Sequence, residues 1–253
     1  MGEVLRLAGL LLACGLGLFV SALGFARLAR RGREIPVPVR VPVGAILAAG
    51  AAFLGTQYLL DEWIPTQENP AHPANLARVI GALAVALLVM RVGGGNPRWF
   101  LPLPERRPMH YALRAYATAL PALVGVYLLY LETADWAGFE PQHEILAGFG
   151  RLARAEQVLT LALAVVVMPV IEEAVFRGYL FAGLAADPRF GPMRALAFSS
   201  LAFGLAHHPT MWLPATCLGV LFGWVQWRMG DLRGPMMLHV LNNVVVFGMS
   251  AVS

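Results

Sequence analysis

Glu172, Glu173 and Arg177 stand inside the apolar run VVVMPVIEEAVFRGYLFAG, residues 165–183. Ionisable groups at such positions are costly, usually face the interior of a helix bundle and point to a functional site. On a helix, Glu173 and Arg177 are four residues apart with the acid first, the favourable order for an ion pair. Glu172 lies one position earlier, about 100° around the helix, so the two carboxylates point in different directions. Glu173 with Arg177 reads as an internal brace, and Glu172 as the acid that faces the chemistry. Pro169 cannot donate a backbone hydrogen bond and tends to kink a helix. A kink there would open a polar cavity beside Glu172.

Two later apolar runs carry further polar groups. Phe203 and His207 are four apart in one, and His239 and Asn243 are four apart in the other, with His208 and Asn242 as their neighbours. The set offers a carboxylate, two imidazoles and an amide. A carboxylate can act as general base towards water, and an imidazole can orient that water or carry a proton. A protonated imidazole and an amide N–H can stabilise an oxyanion. Those parts suffice to hydrolyse an amide bond without a Ser or Cys nucleophile. Ser199 and Ser200 read as helix packing groups. The blander alternative is interhelical glue, worth roughly 0.6–2 kcal/mol per group. Concentration of the whole set C-terminal to Pro169 favours a site.

The elements that must position these groups are membrane helices. Of 253 residues, 58% are hydrophobic and 13% charged, about half the charge of a typical soluble domain, and the mean hydropathy is +0.64. A spanning helix needs about 20 mostly apolar residues, and eight such runs are read: 4–26, 41–60, 74–92, 111–131, 156–184, 192–208, 212–228 and 234–252. The expectation is an all-α polytopic bundle, with an N-terminal four-helix region over 1–155 and a catalytic core over 156–253. Trp212, Trp224 and Trp227 read as interface anchors. Between Glu132 and Glu156, Trp136, Phe139, Ile145, Leu146, Phe149 and Leu152 could form a short surface-lying helix. His72, His110 and His143 read as solvated loop residues, and Cys14 and Cys217 as small apolar packing groups.

Charge sets orientation and excludes one class of partner. All 19 basic residues are arginines. Fourteen of them fall in the loop regions after the first, third, fifth and seventh spans (Arg27 to Arg40, Arg91 to Arg114, Arg189, Arg194, Arg228 and Arg233). The positive-inside rule then places both termini outside the cytoplasm, in what we take to be a bacterial inner membrane. The arginines form no continuous basic face, which argues against nucleic acid. The implied partners are the bilayer and a membrane-anchored substrate.

EEAVFR (Glu172–Arg177), FGLAH (Phe203–His207) and HVLNN (His239–Asn243) follow E-E-x-x-x-R, F-x-x-x-H and H-x-x-x-N. Their order on separate hydrophobic helices resembles the CPBP family, the CAAX-protease and bacteriocin-processing (ABI) intramembrane endopeptidases. The resemblance covers about residues 156–252. It implies peptide-bond cleavage in a membrane-anchored protein or peptide. Carried over, Glu172 activates water, His207 helps hold it, His239 and Asn243 stabilise the oxyanion, and Glu173 and Arg177 support the site. The family has also been described as metalloproteases, in which case Glu172, His207 and His239 could ligate zinc with one position left for water. H-E-x-x-H is missing, and the metal-free form is favoured. The alternatives are a non-catalytic immunity or scaffold protein of the same fold, and a transporter. A transporter would spread polar groups across both halves of the chain.

One conflict stands within this reading. Counted along straight helices at 1.5 Å per residue, Glu172, His207 and His239 lie at different depths. Tilt, a Pro169 kink or a long fifth helix would have to bring them together.

Overall fold

Backbone amides in lipid have no water to bond, so a spanning chain must satisfy them within helices. The computed structural model describes residues 2–30, 41–93, 109–136, 138 and 148–250. Among the described residues there are eight helices and no strand. They are α1 (Gly2–Arg30), α2 (Val43–Trp63), α3 (Pro73–Val92), α4 (His110–Trp136), α5 (Arg154–Ala186), α6 (Gly191–Leu205), α7 (Trp212–Met229) and α8 (Arg233–Ser250). Five of these, α1 to α5, are long and apolar enough to cross a bilayer. The chain is an integral membrane protein built as an all-α bundle.

α5 is the central element. Its 33 residues extend about 50 Å at 1.5 Å per residue, well beyond a hydrocarbon core of about 30 Å. One side packs on α2 and α3 through Tyr179 and Ala182 against Ala45, Ala49, Ala86 and Met90. Another meets α6 and α7 through Phe176, Phe181 and Leu184. A second core joins α4, α7 and α8 around Tyr111, Tyr116, Phe222, Val225 and Leu238. α1 rides on α4, and Gly17 and Gly125 allow the close approach. A Cβ on Gly17 would run into the Pro121 carbonyl, and one on Gly125 into the backbone at Cys14. Cys14 is buried in that contact.

Several expectations need correction. α6 ends at Leu205, short of 208, because Pro209 follows. His208, the residue before it, is extended (φ −57°, ψ 143°), as a residue preceding proline tends to be. His207 therefore sits in the turn beyond the helix. Trp227 is buried among Phe181, Leu184 and Leu196. Trp224 lies edge-on to Phe25 and stacks on Tyr111. Both serve the core, whereas Trp212 is exposed. Leu152 is buried as well, and Phe149 meets the Phe247 ring, so this end of the connection packs inward. Phe139, Ile145, Leu146 and His143 lie outside the described residues. His72 caps α3 by accepting from Ala74 N–H through Nδ1, and its Nε2 lies 3.4 Å from Glu156.

Candidate active site

The disturbance expected at Pro169 takes the form of π-helical turns. α5 widens over Ala162–Val167 and again over Ala174–Phe181, with an α-helical segment Met168–Glu173 between them. Inserted π turns re-aim side chains and often mark functional sites. Here they flank the two glutamates.

Glu173 and Arg177 are completely buried. Arg177 Nη1 donates to Glu173 Oε1 at 3.0 Å, and Nη2 donates to the Gly219 carbonyl of α7 at 3.2 Å. The guanidinium carbon lies 4.1 Å from the Phe203 ring centroid and 5.4 Å from that of Phe222. The ion pair is thus enclosed by aromatic faces, which attract cations. Gly219 makes this geometry possible. A Cβ there would lie 3.0 Å from Ser200 Cα, so glycine lets α7 approach α6 and offer its carbonyl. Ser199 and Ser200 are buried and bond back to the Leu196 carbonyl, as packing groups do.

His239 bridges the two acids. Its Nδ1 is 2.9 Å from Glu173 Oε1, and its Nε2 is 3.7 Å from Glu172 Oε2. The carboxylate can only accept, so Nδ1 carries the proton and Nε2 is the ring atom turned towards Glu172. The Glu172 side chain is 15% exposed against 0% for Glu173. The adjacent acids therefore occupy unlike environments, as their angular offset requires. Phe222 and Phe203 flank the His239 ring, with centroids 5.0 and 5.6 Å away.

His207 approaches from the α6–α7 turn. Its Nδ1 is 2.7 Å from the Phe203 carbonyl, an acceptor, so Nδ1 again carries the proton and Nε2 is left with a lone pair. Two further bonds hold the turn: His207 N–H to Gly204 O, and Trp212 Nε1–H to the His207 carbonyl at 3.0 Å. The His207 ring lies 4.6 Å from the Phe203 ring. Phe203 thus touches both imidazoles and the guanidinium. His208 is exposed.

Asn243 lies one turn beyond His239 on α8. Its Nδ2 donates to the Ala164 carbonyl in the first π turn at 3.0 Å, and its Oδ1 accepts from Asn242 Nδ2 at 3.4 Å. The seven motif residues come from α5, from α6 and the turn that follows it, and from α8. Glu172, Glu173, Arg177 and His239 are linked through direct contacts, and His207 joins them across Phe203. Phe222, Gly219 and Trp212 also build the site, although their residue types in an apolar run gave no chemical signal. The tests of depth along straight helices fail here because α5 is long and widened and His207 has left its helix.

Residues 154–245 match the family model of type II CAAX prenyl endopeptidase Rce1-like proteins. The similarity to the CPBP, or CAAX-protease, family is therefore shown for this segment. It runs from the first residue of α5 into α8 and includes every motif residue named above. The CAAX-protease match indicates a membrane-embedded peptidase. No curated protein and no solved structure matches the chain.

Among the described residues, no group of three His, Cys, Asp or Glu side chains is placed to hold a metal ion. Glu172, His207 and His239 do not form such a group in this arrangement.

Proposed function

We propose that this protein is a glutamate-dependent intramembrane endopeptidase that cleaves a membrane-anchored protein or peptide. The observation that carries the proposal is the pair of acids held apart by one histidine. Glu173 is buried on Arg177 and His239, while Glu172 keeps an accessible carboxylate 3.7 Å from the opposite nitrogen of the same ring.

In this reading a water lies between Glu172 and His207. The His207 Nε2 lone pair accepts one water hydrogen and orients the oxygen. Glu172 takes the other proton as the hydroxide adds to the scissile carbonyl carbon. The carbonyl π electrons move to oxygen, and His239, when protonated at Nε2, donates to that oxyanion together with an Asn243 N–H. As the C–N bond breaks, the proton held by Glu172 passes to the leaving amine. The products are a carboxylic acid and an amine, and Glu172 is a carboxylate again. Glu173 and Arg177 do not touch the reacting atoms; they hold His239 in its tautomer and orientation. No step passes through a metal.

The family description points first to prenylated substrates with a C-terminal CAAX sequence. A farnesylated CAAX peptide in detergent–lipid micelles is thus the first probe, and membrane precursors in the native host are the second. Glu172→Gln should lower turnover by about 10²–10⁴-fold, the usual weight of a general base, and let the unprocessed precursor accumulate in cells. Incubation with a zinc chelator should leave the wild-type rate unchanged. Full processing by Glu172→Gln in both assays would sink the proposal.

A further inference from the structure

Pro169 leaves a gap in the hydrogen bonding of α5 that another helix fills. In the first π turn, Met168 N–H donates to the Leu163 carbonyl, five residues back. The next donor in that pattern would be residue 169, bonding to Ala164, but proline has no N–H. Asn243 Nδ2 supplies the missing donor at 3.0 Å. A buried carbonyl can only accept, so this contact dictates which way the Asn243 amide faces: its NH2 turns to α5 and its Oδ1 turns away.

The sense then propagates. Asn243 Oδ1 needs a donor, and Asn242 Nδ2 provides it at 3.4 Å. Asn242 Oδ1 must therefore face the other way, where the Tyr116 hydroxyl donates to it at 3.3 Å. Tyr116 is buried on α4, in the half of the chain where the sequence shows no chemical motif. The acceptor-only carbonyl of Ala164 thus sets the sense of two amides in series, and the Tyr116 hydroxyl supports it by donating to the oxygen at the far end. With one N–H on the Ala164 carbonyl, the second N–H of Asn243 stays available as a donor. Without the hydroxyl, Asn242 could rotate its amide and set two carbonyl oxygens against each other, loosening Asn243.

We infer that Tyr116 is a positioning residue for peptide hydrolysis: acting through Asn242, it holds the Asn243 amide with its N–H towards the site. The inference rests on the peptidase reading above and gives α4 a part in it. Tyr116→Phe removes only the hydroxyl.

The test has two arms. Steady-state kinetics on the farnesylated CAAX peptide should show kcat reduced roughly tenfold for Tyr116→Phe and for Asn242→Ala, with KM within about twofold, as expected when a reacting group is misplaced rather than binding lost. The double variant should be no slower than Asn242→Ala alone. The second arm needs no substrate. The chain has five asparagines, so selective 15N labelling in detergent resolves their side-chain amides. The Asn243 amide protons should exchange slowly in the wild type and much faster in Tyr116→Phe, while the Asn69 and Asn75 amides are unchanged. Wild-type kcat and unchanged Asn243 exchange in Tyr116→Phe would overturn the inference, as would losses that multiply in the double variant. A Glu172→Gln variant that still cleaves the peptide would instead overturn the glutamate-dependent mechanism, whereas the exchange arm would still report on the amide chain.

Discussion

Arg177 shows how a single residue can be tolerated at membrane depth. Its charge is met by Glu173, by the Gly219 carbonyl and by two aromatic faces. Removing one partner of a buried pair leaves the other charge uncompensated, at a cost of about 3–5 kcal/mol, whereas replacing both partners with neutral groups of similar volume costs much less. Arg177→Met should therefore lower the thermal unfolding midpoint in detergent sharply. The double variant Glu173→Gln/Arg177→Met should recover much of that loss, since the amide that replaces the carboxylate still offers an oxygen to His239. A double variant no more stable than Arg177→Met would show that the pair is not the brace described. The pairing of Glu173 with Arg177 was legible in the sequence because four-residue spacing on a helix is local geometry. The contact from Glu173 to His239 spans 66 residues and left no local trace.

At the scale of the element, α5 departs from regular geometry where the chemistry needs it. Pro169 removes one backbone donor, the helix widens over the preceding turn, and Asn243 of α8 replaces the lost bond. Pro169→Ala would return an N–H to the Ala164 carbonyl and release Asn243. The unfolding midpoint should then rise, because a helix-interior proline is costly, while peptide turnover falls. Activity kept at the wild-type level in this variant would show that the widened turn is incidental to catalysis. The sequence made a disturbance near Pro169 legible, but its form was decided by packing: two π turns, with a neighbouring helix supplying the donor. α6 gives the opposite case. Pro209 was visible as a breaker, yet the expected span ran up to it because apolar residues continue on both sides.

For the whole molecule, the arrangement joins two halves of unlike character. α1 to α4 carry few buried polar groups among the described residues, and Tyr116 is where α4 bonds to Asn242. Arginine placement predicts that both termini lie outside the cytoplasm. A reporter enzyme active only outside should therefore be active when fused after Ser253, and inactive when placed in the arginine-rich stretch between α1 and α2. The reverse pattern would invert the orientation and carry the site to the other leaflet.

By itself, the sequence determined what is local or additive: the apolar runs, their approximate number, the four-residue pairs and the motif set shared with CAAX proteases. Each follows from helical periodicity or from summed transfer energy, and both can be read along a single chain. Only the tertiary structure decided that His239 spans the two glutamates, that His207 leaves its helix yet stays against Phe203, and that a hydroxyl on α4 orients an amide on α8. Those contacts join residues as many as 126 positions apart. Their geometry depends on how closely helices approach, and glycines such as Gly219, together with the missing N–H of Pro169, set that approach through backbone sterics that no residue pattern encodes.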